Sequence, residues 1–182
     1  MRNKDTKKVV TIAMFAALIV VLQVIATFVN FGGFPITLTL VPIIIAGAMF
    51  GPGMGALMGT VFGIVVALMV VVGADPSGAT LLSLRPVVTV LACILKGTFC
   101  GLVSALVYKA LAGKNQTAAI IAAAAICPVV NTGTLYLALI IFFESTFAAM
   151  LGAFMSVNFA IELIINILIA PALLRVVNKR LD

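Results

Sequence analysis

Apolar residues fill most of this chain in long runs, and charged, Pro or Gly residues interrupt the runs at short intervals. A helix of about 20 apolar residues matches the roughly 30 Å hydrocarbon core of a bilayer. The pattern predicts six membrane spans near residues 9–29, 36–50, 54–72, 86–108, 117–141 and 151–174. We therefore expect an all-α membrane protein, a six-transmembrane-helix bundle that forms one domain over residues 1–182.

Composition supports a bilayer as the solvent of this protein. Hydrophobic residues make up 64% of the chain and charged residues only 9%, so a water-soluble fold of this size has too little polar surface to cover them. The net charge of +6 comes from basic residues clustered at predicted helix ends, where they meet lipid headgroups rather than nucleic acid. The three cysteines lie within apolar runs without metal-ligand spacing, which is typical of small core residues.

The second predicted span is the least regular of the six, because it is short and contains Pro42. The turn Gly51-Pro52-Gly53 that follows is so tight that spans two and three should form a close hairpin. Without the second span, a five-helix alternative would put the two termini on opposite sides of the membrane.

The charge distribution favours cytoplasmic termini, since basic residues concentrate in cytoplasmic loops. The segments that a cytoplasmic amino terminus places inside hold most of the 11 basic residues, namely Arg2, Lys4, Lys7, Lys8, Lys109, Lys114, Arg175, Lys179 and Arg180. The predicted outer loops, 30–35, 73–84 and 142–150, contain Asp75 and Glu144 but no Lys or Arg. The five-helix alternative fits this distribution less well.

Small residues recur at every fourth position in three places, where they allow close approach of another helix. Gly51, Gly55, Gly59 and Gly63 form a stripe on span three, which we interpret as packing within the chain. The pairs Ala13 and Ala17 in span one and Gly97 and Gly101 in span four are compatible with internal packing or with docking of a separate subunit.

Amide and ionisable side chains at membrane depth are costly and therefore informative. Asn158, Glu162 and Asn166 are four residues apart, so they share one face of span six, which should point into the bundle. Glu162 and Lys96 of span four both come about 15 Å below the outer boundary and could form an ion pair. Asn131, in the VVNTG run of span five, reaches a similar depth.

These residues predict an outward-opening pocket for a small polar ligand, with interhelical hydrogen bonding as the alternative interpretation. Pro128 and Gly133 bracket Asn131 and should loosen its helix. Arg85 lies at the outer mouth of span four and offers a second cation, and Tyr136 adds a hydroxyl. The candidate substrate-binding residues are Asn131, Asn158, Glu162, Lys96, Arg85 and Tyr136.

Several function classes lack their sequence signatures. The chain has no GxxxxGK[ST] loop, so ATP-driven work needs a partner protein. It has no His, which removes His-dependent zinc and Ser-His chemistry, and we do not expect an enzyme. An ion-coupled carrier usually has two related halves, and no convincing internal repeat is present.

The sequence resembles the substrate-binding S-components of energy-coupling factor (ECF) vitamin transporters. The size, the six-span layout and the basic amino terminus are similar across the whole chain. The more specific likenesses are the AxxxA motif, here Ala13 and Ala17, and the stretch PIIIAGAMFGP from Pro42 to Pro52 that leads into the Gly-rich third span.

The resemblance implies a high-affinity subunit that captures a vitamin from outside a bacterial cell membrane. It implies that Ala13 and Ala17 dock onto a transmembrane coupling subunit driven by two cytoplasmic ATPases, so that this chain needs no cofactor and its partners use the ATP. Toppling within the membrane would release the ligand inside, and outer loops including 30–35 and 73–84 would close over it.

The vitamin that we expect is pantothenate, whose carboxylate suits Lys96 or Arg85 and whose amide and hydroxyls suit Asn residues. Folate, riboflavin and a thiamine precursor are alternatives, although flat rings usually stack on aromatic side chains and the chain has no Trp and 2 Tyr. Two other functions stay open at this point: a proton-coupled secondary carrier that uses Glu162 as its proton site, and a non-transporting scaffold.

Overall fold

A computed structural model describes residues 2–28, 30–31, 34–35, 39–143 and 145–181, with side-chain surroundings described for 6, 9–28, 39–143 and 159–177. Helices account for nearly all of these residues. In chain order the elements are α1 (Arg2–Phe28), β1 (Asn30–Phe31), β2 (Phe34–Pro35), α2 (Leu40–Phe50), α3 (Pro52–Val71), α4 (Pro76–Leu84), α5 (Pro86–Ala112), α6 (Gln116–Phe142) and α7 (Ser145–Leu181). The two short strands pair antiparallel, Asn30 with Pro35 and Phe31 with Phe34.

Within the described residues, five helical segments are long and apolar enough to cross a membrane. They are Val9–Phe28, Pro52–Val71, Pro86–Ala112, Gln116–Phe142 and Phe159–Val177. The helical membrane fold is confirmed, whereas six full spans and cytoplasmic termini stay predictions.

The second predicted span, 36–50, corresponds to a helix that is too short to cross a membrane. Helix α2 begins only at Leu40 and has 11 residues, so it is about 16 Å long, roughly half the hydrocarbon thickness. Every residue from Leu40 to Gly47 is buried. Helix α2 packs inside the bundle against α1, α3, α5, α6 and α7, and apolar residues on all its sides suit this position.

The predicted hairpin between α2 and α3 is confirmed. Gly51 has φ 93°, a left-handed conformation that favours glycine, and Pro52 begins α3 at the position where its missing N–H costs nothing. The Gly51 N–H donates to the Gly47 carbonyl at 2.9 Å, which closes the last turn of α2.

The glycine stripe packs within the chain, as predicted. Gly55 and Gly59 of α3 lie directly against the backbone of Gly101 and Gly97 of α5, so neither helix has room for a side chain there. The Gly97 and Gly101 pair is thereby also used internally. Ala13 and Ala17 differ, because both are exposed on α1.

Helix α4 replaces much of the predicted outer loop 73–84. Asp75 caps it, accepting a hydrogen bond at its Oδ1 from the Gly78 N–H at 3.1 Å, and Pro76 occupies the first turn. The chain then extends at Arg85, which precedes Pro86, and a new helix begins. Helix α6 continues from Gln116 to Phe142 through both Pro128 and Gly133, and the loosening expected there stays a prediction.

Candidate functional site

A cavity of about 70 Å³ lies between α1, α3, α4, α5, α6 and α7. Most of its wall is apolar, with Phe62, Val66, Leu81 and Leu139 among the lining side chains. The polar and charged side chains that line it are Gln23, Asp75, Thr89, Lys96, Asn131, Thr132 and Glu162. An apolar enclosure with a few converging polar groups is the usual character of a small-molecule site.

Three of the predicted site residues meet in this cavity, each from a different helix. Lys96 comes from α5, Asn131 from α6 and Glu162 from α7. Asn131 and Glu162 are each only 4% exposed, so both are held in the interior. Three of the four residues that depth counting placed together therefore line one cavity, and the Lys96–Glu162 ion pair stays a prediction.

The other predicted residues are placed differently. Arg85 is exposed at the junction of α4 and α5, and Tyr136 is 40% exposed on α6; neither lines the cavity. Arg85 lies between two helices that contribute to the cavity wall, and Tyr136 lies on another face of a third. Asn158 lies outside the residues whose side chains the structure describes.

Lys96 stands over the face of the Phe62 ring, with its Nζ 5.8 Å from the ring centroid. The ring quadrupole attracts the ammonium at this distance and helps to hold it in an otherwise apolar wall. Cavity residue Asp75, at the start of α4, also interacts electrostatically with Lys96. Lys96 therefore shares its cavity with two carboxyl groups, those of Asp75 and Glu162.

Asp75 was not among the predicted site residues, because it was assigned to an outer loop. Burial raises the pKa of its carboxyl above the ordinary value of 3.8, while the Gly78 N–H, the Lys96 charge and the Ser77 N–H act in the opposite direction. Its position at a helix amino terminus followed by Pro76 is a readable sequence signal for a cap. Its place in the cavity depends on how α4 folds over α3 and α5.

Asn131 has a hydrogen-bonding capacity that the described part of the protein does not fill. Its Oδ1 is buried and has no hydrogen-bond partner among the described residues. A buried acceptor without a partner costs about 1–3 kcal/mol, so it calls for an explanation in a native fold. Asn131 lines the cavity, and a donor group entering the cavity would satisfy this oxygen.

Asn166, the third residue of the predicted α7 stripe, is 0% exposed but does not line the cavity. Its Nδ2 donates to the Glu162 carbonyl oxygen at 2.6 Å, one turn earlier in the same helix. Its Oδ1 has no hydrogen-bond partner within the described residues. Asn166 therefore resembles Asn131 in chemistry and burial and differs from it in facing away from the cavity.

Gln23 of α1 also lines the cavity and was missed by the sequence analysis. It is 2% exposed, and its Oε1 accepts a hydrogen bond at 2.9 Å from the hydroxyl of Thr39, just before α2. The signal was available, because Gln23 is an amide side chain inside a predicted membrane span. The rule that singled out Asn131 applies equally to Gln23.

The size of the cavity bears on how a ligand would enter. A volume of about 70 Å³ is well below the roughly 300–1,000 Å³ of sites for drug-sized ligands. The walls must separate before a vitamin-sized molecule fits. Helix α4, which contributes Gly78 and Leu81, is the shortest helix in the wall and is joined to α3 through a turn at Gly73, where φ is 75°.

The sequence was also compared with known proteins. A search of curated proteins found no significant match. The family model described as "ECF transporter, substrate-specific component" matches residues 7–174, which is nearly the whole chain and includes the residues that line the cavity. This is a family of membrane transporter subunits and not of enzymes. The protein therefore belongs to the family of ECF transporter substrate-specific components.

Proposed function

We propose that this protein is the high-affinity subunit that captures a water-soluble vitamin from outside the cell for an ECF-type ABC importer. The observation that carries the proposal is the meeting of Lys96, Asn131 and Glu162, from three helices, in one apolar-walled cavity. Interhelical hydrogen bonding alone would satisfy these side chains, yet Asn131 Oδ1 has no hydrogen-bond partner among the described residues. An acceptor held ready in a cavity suits a ligand.

Pantothenate is the vitamin that we propose. Its carboxylate would face the Lys96 ammonium, and its amide and hydroxyl groups would exchange hydrogen bonds with Asn131 and with the hydroxyl groups of Thr89 and Thr132. All four side chains line the cavity. Arg85, the other candidate for the carboxylate, is exposed outside the lining and supports this role less well.

A ligand with a positive charge is a second candidate, favoured by a different observation. Asp75 and Glu162 put two carboxyl groups around the single ammonium of Lys96. If both are ionised, the cavity has an excess negative charge, which attracts a cation more strongly in an apolar interior than in water. A vitamin with a fixed positive charge, such as the thiazolium ring of thiamine, fits this description, whereas folate carries carboxylates.

The proposed partners are a transmembrane coupling subunit and two cytoplasmic ATPases, which would use the ATP. Ala13 and Ala17 are exposed on α1, while the glycine pairs of α3 and α5 pack against each other. The alanine pair is therefore a small-residue surface that a coupling helix could approach. With both termini cytoplasmic, the protein would lie in a bacterial cell membrane with its cavity towards the outside.

A proton-coupled carrier and a scaffold are less favoured, because the family match points to a subunit of a larger importer. A carrier would use Glu162 as its proton site and would take up substrate without other subunits. A protonophore would then abolish uptake by this chain alone.

The test is a thermal-shift screen of the purified protein in detergent against water-soluble vitamins, because a ligand that binds only the folded state raises Tm. We expect pantothenate to raise Tm and Asn131→Ala to abolish the rise. Asn166→Ala is the matched control, since it removes an equally buried amide that does not line the cavity. The control should keep the pantothenate shift.

Other outcomes are equally informative. A shift with a positively charged vitamin or precursor instead of pantothenate would keep the capture function and change the ligand. Equal loss of binding in both variants would mean that the amides act by holding helices together. The absence of a shift with any vitamin would refute vitamin capture by this chain.

A further inference from the structure

A hydrogen bond from Thr39 orients the Gln23 side chain within the cavity. Thr39 is 0% exposed, and its hydroxyl donates to Gln23 Oε1 at 2.9 Å. Gln23 itself is 2% exposed and lines the cavity together with Lys96 and Asn131. The bond joins α1 to the first residue before α2, at the edge of the cavity.

This bond determines which group of the Gln23 amide remains for other hydrogen-bond partners. A Gln side chain has one carbonyl oxygen that accepts and one NH2 group with two donors. Thr39 uses the oxygen, so the group that remains to be matched in the cavity is the NH2 group. A donor in an apolar-walled cavity favours an acceptor oxygen.

We propose that Gln23 is a ligand-binding residue, in addition to those that the sequence predicted, and that Thr39 is its positioning residue. The Gln23 NH2 group donates to an acceptor oxygen of the ligand, and Thr39 holds the amide in the orientation that presents this donor. The assignment rests on the proposed function, because it takes the cavity to be the vitamin site. Carbonyl, hydroxyl and carboxylate oxygens are all suitable acceptors.

The assignment gives α1 two roles on two faces. Its buried face includes Ile19, Gln23 and Thr27, while Ala17 lies on the exposed face that we propose for docking. Ala17 and Gln23 are about 9 Å apart along the helix axis. A ligand bonded to Gln23 therefore holds the same helix that the coupling subunit would contact.

Two variants remove the donor in different ways. Gln23→Glu keeps an oxygen for Thr39 and replaces the NH2 group with a second oxygen, which cannot donate when ionised. Gln23→Leu combined with Thr39→Val removes the hydrogen bond and both of its partners while preserving the approximate shape. Each should weaken vitamin binding by roughly ten-fold or more, measured as Kd by isothermal titration with the vitamin that shifts wild-type Tm.

Thr27→Val is the matched control for these variants. Thr27 is 2% exposed on the same face of α1, does not line the cavity, and donates only within its own helix, to the Gln23 carbonyl oxygen at 2.9 Å. Its replacement should change Kd by less than about two-fold. Thr39→Val alone should weaken binding by an intermediate factor, because the amide keeps its donors but loses its orientation.

A second measurement does not depend on knowing the vitamin. Gln23→Cys and Thr27→Cys are compared in a Cys93→Ala background, which removes the cysteine that lines the cavity; Cys100 and Cys127 are 0% exposed. The reagent is 2-aminoethyl methanethiosulfonate, added to the protein in detergent. Cysteine at position 23 should react faster than cysteine at position 27, a comparison that needs no ligand. Once a vitamin that binds wild type is known, a saturating concentration of it should slow only the reaction at position 23.

Different results would refute the assignment of Gln23 and the vitamin-capture function. If wild type binds a vitamin and both Gln23 variants bind it as tightly, the assignment of Gln23 is overturned while vitamin capture stands. If no vitamin binds wild type, vitamin capture is refuted, and the labelling rates decide whether Gln23 faces a ligand-accessible cavity. Equal labelling rates at positions 23 and 27 would overturn the assignment in either case.

Discussion

Replacing Gly63 with Ala tests whether the close contact of α3 and α5 sets the geometry of the cavity. A Cβ atom at position 63 would lie 2.6 Å from the carbonyl oxygen of Cys93 and 2.7 Å from Cα of Ile94. Both atoms belong to the backbone of α5, so no side-chain rotation relieves the overlap. The two helices must separate by about 0.5–1 Å to restore ordinary van der Waals contact.

The cost follows from what holds helices together in a membrane. Lipid tails are as apolar as the side chains, so packing contacts and hydrogen bonds provide most of the attraction between helices. A gap of about 0.5–1 Å forfeits a quarter to a half of the dispersion energy of each contact. Overpacking typically costs about 1–3 kcal/mol, and for a chain of this length each kcal/mol lowers Tm by about 2–4 °C.

The separation would also reach the cavity. Cys93 lines it directly and Lys96 lies one turn further along α5, so both move when α5 retreats from α3. Phe62, on which Lys96 is stacked, is the residue before Gly63. We therefore expect Gly63→Ala to weaken vitamin binding as well as stability.

Gly53→Ala is the control in the same helix, because a Cβ atom there would have nothing within 4 Å. It should be neutral or should stabilise by up to about 1 kcal/mol, since Ala is the better helix former. Tm of both variants is measured in detergent, with and without the vitamin that shifts wild type. If Gly63→Ala had the same Tm as Gly53→Ala, close packing of α3 on α5 would not be what stabilises this fold.

Three further predictions address charge and docking. Asp75→Asn keeps an oxygen that accepts from the Gly78 N–H but removes a carboxyl whose pKa is raised by burial. The Tm of the wild type should therefore fall relative to the Tm of the variant as pH rises from about 4 to about 7. Parallel Tm profiles would contradict this prediction. Lys96→Gln should weaken pantothenate binding by roughly 10–100-fold, as expected for loss of a charged hydrogen bond, but should preserve or strengthen binding of a cation. Ala13→Trp should leave the vitamin-induced Tm shift intact and abolish uptake in cells that supply the coupling subunit and ATPases; unaltered uptake would place the docking surface elsewhere.

Much of the candidate site could be predicted because polar groups at membrane depth are few. Lys96, Asn131 and Glu162 stand out in apolar runs, and counting 1.5 Å per residue placed them at one level. All three line one cavity, while their role in binding stays a proposal. The same rule also singles out Gln23, which is not among the residues predicted from the sequence.

The residues at the outer boundary were harder to place. Depth counting predicts suitable positions for Arg85 and Tyr136, but depth along a helix does not specify which face a residue occupies in the bundle. For Asp75 the local structure could be predicted, but its position in the bundle could not. Its Asp-Pro signal predicts the start of a helix, but only the packing of α4 against α3 and α5 brings its carboxyl to the cavity beside Lys96.

The sequence by itself determined the bilayer as solvent, the helical class, the family and the Gly51 turn, because these depend on composition, run length and local backbone preference. Only the tertiary structure shows that α2 is a buried helix of half a membrane's thickness, and that Gly97 and Gly101 are used within the bundle while Ala13 and Ala17 stay exposed. The physical reason is that an apolar helix has the same sequence pattern whether lipid or protein surrounds it. The shapes of the neighbouring helices decide which faces of such a helix are covered by protein.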